Sequence, residues 1–256
     1  MRYLPKLPTP VIIIIVLLIP IKAFSTDIPD PRYKTIEYIK WYPGHYYNAI
    51  KRTVSFKTHR SVLLAGALLL PTAFIIDNRV QNYAQKRGFY SKSISKIGDL
   101  YGSPWGYIGG ITLVTATGFI SKQPFPKTIS QVQLIAESVQ TTALITSILK
   151  DITHRERPNR KSYKSFPSGH TSGSFALAAC LNEIYGKKVG YLAYFMAGFV
   201  ASSRINDNKH YLSDVIAAAI LGTIIGKSFA IQHFFEFKIY NDKNNSNTSI
   251  SYSFKL

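Results

Sequence analysis

The sequence predicts an all-α protein, a bundle of about six helices followed by a C-terminal β-hairpin. Apolar stretches of helical length, each closed by a charged residue or a proline, recur from residue 61 onward. Strict alternation of apolar and polar residues, the pattern of a strand, stands out only near the C-terminus. The predicted helices cover residues 61–76, 105–121, 129–150, 171–186, 189–203 and 211–232.

The first 25 residues have the pattern of an export signal. Arg2 and Lys6 precede an apolar run over residues 11–21, which is short for a membrane span. Small residues then stand at the positions that favour cleavage by a signal peptidase. We expect cleavage after Ser25, with an uncleaved membrane anchor as the alternative.

The charge balance narrows the choice of partner. The chain has 31 Lys and Arg residues against 13 Asp and Glu residues, a formal net charge of +18. Nucleic acid, anionic membranes and phosphorylated substrates all suit a basic protein, but export argues against nucleic acid. Cys180 is the single cysteine, which excludes an intramolecular disulfide and a cysteine-cluster metal site.

Residues 26–60 are predicted to form an aromatic and basic arm. Tyrosines such as Tyr46 and Tyr47 are interleaved there with Lys and Arg, a mixture that favours the level of the lipid headgroups. The alternative is a solvated arm that packs its aromatic side chains on the rest of the protein.

Residues 61–232 are predicted to form the helical domain. The run 61–76 is uncharged, and the run 100–121 is long enough to cross a bilayer. Glu137 and Lys227 interrupt two later helices, so the helices either line a polar site or form a bundle that is only partly embedded.

Residues 233–256 change character. The segments 235–240 and 250–256 alternate apolar and polar residues, and a polar, turn-rich stretch separates them. This pattern predicts a hairpin that packs on the helices or on a second subunit, because a lone hairpin is marginal in water.

The first cluster with chemical potential is Lys150 and Arg157, just before Pro158. Seven residues are two helical turns, so both cations would lie on one face if the helix reached Arg157. An Arg fork and a Lys point charge suit an oxyanion with several oxygens, although basic helix ends are common without any ligand.

The second cluster is Ser168, Gly169 and His170, directly before a predicted helix. Ser168 can cap that helix, and the free N–H groups near Gly169 form an anion site at the helix start. His170 is placed to give a proton to a leaving oxygen, although a histidine at this position is often only structural.

The third cluster is Ser203 and Arg204, followed by His210 and Asp214. The i, i+4 spacing predicts that His210 and Asp214 share one helical face, where the carboxylate can accept a hydrogen bond from Nδ1–H and leave Nε2 unprotonated, as in an activated nucleophile. Arg204 adds a third cation and Ser203 a hydroxyl. The alternative is a simple ion pair on a helix surface.

Together the three clusters resemble the type 2 phosphatidic acid phosphatase superfamily, which includes bacterial acid phosphatases and vanadium haloperoxidases. The resemblance covers roughly residues 77–227, with a short loop at 159–166 as its one departure. It implies the helical fold of that superfamily, with His210 as nucleophile, Asp214 as its orienting acid and His170 as general acid. The implied phosphate-binding residues are Lys150, Arg157, Ser168, Gly169, Ser203 and Arg204.

The sequence thus predicts a phosphatase that needs no metal or cofactor and acts through a phosphohistidine. Its expected substrate is the phosphate ester or diphosphate of a membrane lipid, either phosphatidate-like, undecaprenyl diphosphate or lipid A. We expect a protein of the bacterial inner membrane with its site facing the periplasm. The alternatives are a soluble periplasmic acid phosphatase of broad specificity, a vanadate-dependent haloperoxidase and a catalytically silent membrane anchor.

Overall fold

The structure, a computed structural model, describes residues 35–244, which form eight α-helices and no strand. The helices are α1 (Thr35–Thr53), α2 (Phe56–Arg87), α3 (Lys92–Tyr101), α4 (Pro104–Ile120), α5 (Phe125–Thr153), α6 (Gly169–Tyr185), α7 (Lys187–Asn206) and α8 (Leu212–Asn244). The predicted all-α class is confirmed, but the count of about six helices is too low. The prediction missed α1, which carries Pro43 in its interior, and α3, which has only 10 residues.

The predicted C-terminal hairpin is wrong where the structure describes it. Residues 235–240 belong to α8 and are not a strand. Extending an existing helix adds a hydrogen bond per residue without a new nucleus, whereas a lone hairpin has no sheet to pair with. Residues 245–256 and the predicted export signal lie outside the described residues.

The run 100–121 is not one continuous helix. The helix α3 ends at Tyr101, and Ser103 begins α4 by accepting a hydrogen bond from Trp105 N at 3.3 Å. Pro104 takes the first helical position, where its missing N–H costs nothing. The predicted stretch of bilayer length is therefore divided into two shorter helices.

The helix α6 lies at the centre of the bundle and packs against α5, α7 and α8. Small side chains let its neighbours approach from several sides, and Ala176, Ala178 and Cys180 are completely buried. The buried core around it combines residues of α4, α5, α7 and α8, among them Val114, Ile135, Ala197 and Phe229.

Two glycines set the spacing between α8 and α6. A Cβ atom built on Gly222 would lie 2.0 Å from the carbonyl oxygen of Ser172, and one on Gly226 would lie 2.6 Å from that of Ala176. The two backbones therefore touch, which fixes the start of α8 beside the start of α6.

We expect Gly222→Ala to destabilise the protein by about 1–3 kcal/mol, because the added methyl group meets a backbone atom that cannot turn away. Thermal unfolding in detergent measures the effect. Gly198→Ala is the matched control, since its Cβ would meet nothing within 4 Å. An equal loss of stability in both variants would contradict backbone contact between α6 and α8.

Within the part of the chain that the structure describes, three helices are long and apolar enough to cross a membrane. The segments are Phe56–Arg87, Lys127–Thr153 and Leu212–His233, the last two within α5 and α8. Large apolar side chains on α2 and α4 also face outward, including Leu68, Ile75 and Phe119, which are 72%, 83% and 86% exposed. Such surfaces suit lipid better than water, so we describe the chain as a membrane protein.

Candidate active site

The three sequence clusters converge at one end of the bundle. The first lies at the end of α5 and in the loop after it, the second at the start of α6, and the third spans the end of α7 and the start of α8. The backbone N of Ser168 donates to the backbone O of Asp214 at 3.2 Å, and Arg155 of the loop after α5 donates to Oδ1 of Asp214 at 2.6 Å. The carboxyl end of α5 and the amino end of α8 therefore lie on the same side of the protein.

His210 and Asp214 form the centre of this site. His210 lies just before α8, and its Nδ1 is 3.7 Å from Oδ2 of Asp214. That separation is longer than a hydrogen bond, and Nδ1 has no other partner, so a small ring rotation would complete the contact. Burial lowers the pKa of His210 to about 4, with Lys150 and Arg157 adding to the effect against the opposing pull of Asp214. The imidazole is therefore neutral at neutral pH.

Asp214 is fixed by donors on both of its oxygens. Oδ2 accepts from Ser165 Oγ at 2.5 Å and from Tyr211 N at 2.8 Å, while Oδ1 accepts from Arg155 Nη1 at 2.6 Å. The carboxylate is completely buried. Its position is thus set before any substrate arrives, as an orienting acid requires.

Arg155 links Asp214 to a second buried carboxylate. Its Nη2 donates to Oδ2 of Asp77 at 2.8 Å, and its guanidinium lies over the rings of Phe74 and Tyr211. Asp77 also accepts from the backbone N and the hydroxyl of Ser213, at 2.8 and 2.5 Å. One arginine therefore joins α2 to the first turn of α8.

His170 stands in the first turn of α6 and is partly exposed. Its Nε2 lies 3.3 Å from Oδ1 of Asp99, a residue of α3. Burial lowers the pKa of His170 to about 4, Arg204, Lys209 and His210 add to this, and Asp99 opposes it. At neutral pH the His170 imidazole is therefore neutral.

Gly98 and Gly102 allow α3 to come close enough for this contact. A Cβ atom on Gly98 would lie 2.6 Å from Ser203 Oγ, and one on Gly102 would lie 2.9 Å from His170 Cβ. The absence of both side chains brings Asp99, which lies between the two glycines, to the edge of the site.

Arg204 is the most deeply buried cation of the site, with 1% of its surface exposed. It donates to Oδ1 of Asp99 through Nη1 and to Oδ2 of Asp207 through Nη2 at 3.1 Å. Ser203 Oγ accepts from Arg204 and donates to the carbonyl of Val200 at 2.7 Å. The hydroxyl of Ser203 thus orients Arg204, and its proton is already in use.

Lys150 and Arg157 do not share a helical face, because α5 ends at Thr153. His154 follows in the left-handed conformation, and Arg157 instead sits in the loop, where its backbone N donates to Ser162 O at 2.9 Å. Lys150 Nζ donates to Lys164 O at 2.7 Å. The Nε of Arg157 is a buried donor without a partner, which an oxyanion would satisfy.

Ser168 and Gly169 occupy the N-cap and first position of α6, as predicted. Ser168 Oγ accepts from Thr171 Oγ1 at 3.0 Å and makes no cap hydrogen bond to the helix backbone. A Cβ on Gly169 would meet only Thr146, at 3.9 Å, so the space in front of this helix end is open. The first N–H groups of α6 can therefore donate hydrogen bonds to an anion.

All nine residues singled out in the sequence thus lie at or beside this site. Sequence reasoning missed Asp99, Arg155, Asp77, Ser165 and Lys209. Acidic residues are scarce in this chain, and Asp77 and Asp99 both border apolar runs. That position could have indicated that the two carboxylates belong to a polar site. Nothing in the sequence distinguishes Arg155 from the other basic residues of its loop.

The structure brings two histidines, a buried carboxylate and three cations together at one end of a helical membrane protein. The profile of the PAP2 superfamily matches residues 132–238. This match confirms the resemblance: the segment that carries the three motifs belongs to the PAP2 superfamily.

Two curated relatives are similar to parts of this chain. The chain is 37% identical over 76 residues to a lipid A 1-phosphatase of Porphyromonas gingivalis, covering 28% of this chain and 17% of that protein. It is 29% identical over 140 residues to lipid phosphate phosphatase 1 of Arabidopsis thaliana, covering 38% of this chain and 42% of that protein. The matched regions are therefore less than half of either relative.

The fold is similar to that of a transmembrane PAP2-type phosphatidylglycerolphosphate phosphatase from Bacillus subtilis. The TM-score is 0.52 at 20% identity, and the match covers 76% of this chain and 100% of that one. The arrangement of helices is therefore similar to that of this PAP2-type structure.

Proposed function

We propose that this protein is a metal-independent phosphatase that hydrolyses the phosphate ester or diphosphate of a membrane lipid through a phosphohistidine on His210. The observation that carries the proposal is the meeting of Lys150, Arg157 and Arg204 around a buried, neutral histidine backed by a carboxylate. Such a site suits phosphoryl transfer, which depends on positioning and on stabilising charge.

In the first step, the Nε2 lone pair of His210 attacks phosphorus while the bond to the leaving oxygen breaks. His170 gives its proton to that oxygen, so the alcohol or phosphate leaves in a protonated form. Lys150, Arg157 and Arg204 hold the other phosphoryl oxygens. The product of this step is a phosphohistidine.

In the second step, the neutral His170 takes a proton from a water molecule, and the water oxygen attacks phosphorus. The phosphorus–nitrogen bond breaks and inorganic phosphate leaves. Asp214 accepts from Nδ1 of His210 throughout, which keeps the reacting lone pair on Nε2.

His170 becomes protonated when the substrate binds. In the free site, burial and the facing cations, led by Arg204, hold the pKa of His170 at about 4. A substrate dianion bound between His170 and Arg204 compensates those cations, which raises the pKa and favours the imidazolium. The same anion competes with the Asp99 carboxylate for Arg204.

A lipid phosphate is the substrate class that these surroundings favour. The site lies at the ends of two of the three helices that are long enough to span a membrane, beside outward-facing apolar side chains. The relatives named above are phosphatases of lipid A and of lipid phosphates. Because an export signal is predicted at residues 1–25, we propose that the site faces the periplasm.

The test compares kcat/KM for a long-chain lipid phosphate with that for p-nitrophenyl phosphate, together with fractionation of the cells. We expect the lipid to be the better substrate by on the order of 10²-fold or more, because its apolar part helps to position the phosphate. The protein should also stay with the membrane after a high-salt wash, since apolar burial is not screened by salt.

Equal efficiency on both substrates, with the protein in the osmotic-shock fluid, would replace this proposal with a soluble acid phosphatase. Folded protein that releases no phosphate from any ester would support the silent anchor instead.

A further inference from the structure

A second cluster of ionisable side chains lies inside the bundle. Glu137 of α5 faces His45 of α1 and His233 of α8, and all three are buried. Oε2 of Glu137 is 3.0 Å from Nε2 of His45 and 2.9 Å from Nε2 of His233. The three donor atoms lie within 4.8 Å of one another.

This cluster is separate from the candidate active site. Glu137 precedes Lys150 on α5, and at 1.5 Å per residue the two positions are about 20 Å apart. On α8, His233 lies about 28 Å from Asp214 by the same measure. No step of the proposed reaction uses these residues, so their burial needs another explanation.

The charge of the cluster calls for a cation. Among the side chains that the structure describes, the ion-pair partners of Glu137 are His45 and His233, with no Lys or Arg. Glu137 places a buried carboxylate inside a helix long enough to cross a membrane, which is costly unless its charge is compensated. A bound cation removes that cost.

We propose that His45, Glu137 and His233 bind a divalent transition-metal ion, with Zn²⁺ the best match. Bonds of about 2.0–2.1 Å in a tetrahedral site separate neighbouring ligand atoms by about 3.3 Å, close to the distances between Oε2 and the two Nε2 atoms. Two imidazoles and one carboxylate are a common zinc ligand set, and a fourth position is left for water.

The surroundings of His233 support metal ligation. Its Nδ1 lies 3.2 Å from Ser130 Oγ, so the imidazole can donate there and present its Nε2 lone pair to the ion. Ligating histidines commonly have such an outer partner, which fixes the tautomer and the ring orientation.

The ion would hold α1 on the bundle. This helix begins the described part of the chain, and Tyr46 also joins it to Thr141 of α5 through a 2.5 Å hydrogen bond. A metal that binds the folded protein and not the unfolded chain raises stability by mass action. The role is therefore structural.

The experiment uses the full chain in detergent, purified with a tag that contains no histidine and dialysed against trace Zn²⁺. We expect about one zinc per chain by elemental analysis, with a higher Tm in Zn²⁺ than after chelation. Glu137→Gln should lose the zinc and the Tm difference. His59→Gln, which removes a buried histidine bonded to Ser228 Oγ at 2.9 Å, should keep both.

Protein that binds no zinc and has the same Tm with and without it would overturn the proposal in favour of a proton-bridged cluster. If Glu137→Gln does not fold, zinc K-edge absorption on the wild type decides. Two imidazoles with only nitrogen and oxygen ligands are expected, and a spectrum without imidazole scattering would overturn the site.

Turnover separates this inference from the proposed function. Below the Tm of the metal-free protein, phosphate release should be unchanged by chelation, because the reaction site is elsewhere. Normal turnover without bound zinc would overturn only the metal site, and bound zinc without turnover only the phosphatase.

Discussion

Replacing His210 by alanine is expected to abolish turnover, because the change removes the nitrogen that is proposed to attack phosphorus. Asp214→Asn should lower kcat by on the order of 10²–10⁴ with little change in KM. The amide can donate to Nδ1, which would leave the proton on Nε2, the atom that must attack. Steady-state kinetics on a lipid phosphate measure both effects.

Asp151→Asn is the matched control for the carboxylate. Asp151 is exposed, its Oδ1 lies 3.6 Å from Lys164 Nζ, and its loss should leave kcat within about twofold. Thermal unfolding of each variant shows whether it is folded. Near-normal turnover in folded His210→Ala would remove the phosphohistidine from the mechanism.

Arg155→Gln is expected to lower both stability and kcat. Removing the guanidinium leaves the buried carboxylates of Asp77 and Asp214 without their shared cation, a loss of about 3–5 kcal/mol for a buried pair. We expect kcat to fall on the order of 10²-fold, because Asp214 no longer holds its position beside His210. KM should change little, since Arg155 is a positioning residue and does not contact the phosphate.

Two further variants separate positioning from simple loss of stability. Arg155→Lys keeps the charge but cannot reach both carboxylates, so its kcat should lie between those of the wild type and Arg155→Gln. Arg79→Gln removes an exposed arginine of the same helix as Asp77 and should change neither kcat nor Tm. A fall in Tm without a fall in kcat would limit Arg155 to a structural role.

The sequence predicted helices α4–α7 well because they depend on local pattern, whereas α2 extends over Phe56–Arg87, well beyond the predicted 61–76. Continuous apolar runs and serine caps can be recognised over a few residues. The predicted boundaries of α4–α7 lie within four residues of the observed ones, and the predicted start of the last helix lies one residue before the observed start of α8. The prediction of a C-terminal hairpin was wrong for residues 235–240 because a pattern of six alternating residues is weak, and extending the long helix α8 is more favourable than starting a strand there. The missed α1 contains a proline and has polar and aromatic residues, and its burial depends on contacts with α5 and α8.

The chemistry of the candidate site could be read from residue types and spacing. Three cations, two histidines and one acid in a fixed order are together far more specific than any one of the short motifs. The sequence could not show that Arg157 acts from a loop, since the end of α5 at Thr153 depends on the left-handed backbone of His154. It also could not show that the Ser203 hydroxyl donates a hydrogen bond to the backbone carbonyl of Val200.

By itself, the sequence determined the helical class and the residues of the three phosphatase-like motifs. The tertiary structure alone decided which charges meet, as in the contact between Asp77 and Ser213, which lie 136 residues apart. It likewise brought Asp99 to His170 and gathered His45, Glu137 and His233 from three helices. The physical reason is that hydrogen bonds and charge pairs between helices depend on how the backbones pack. Glycines such as Gly98 and Gly222 allow that close packing because they have no Cβ atom.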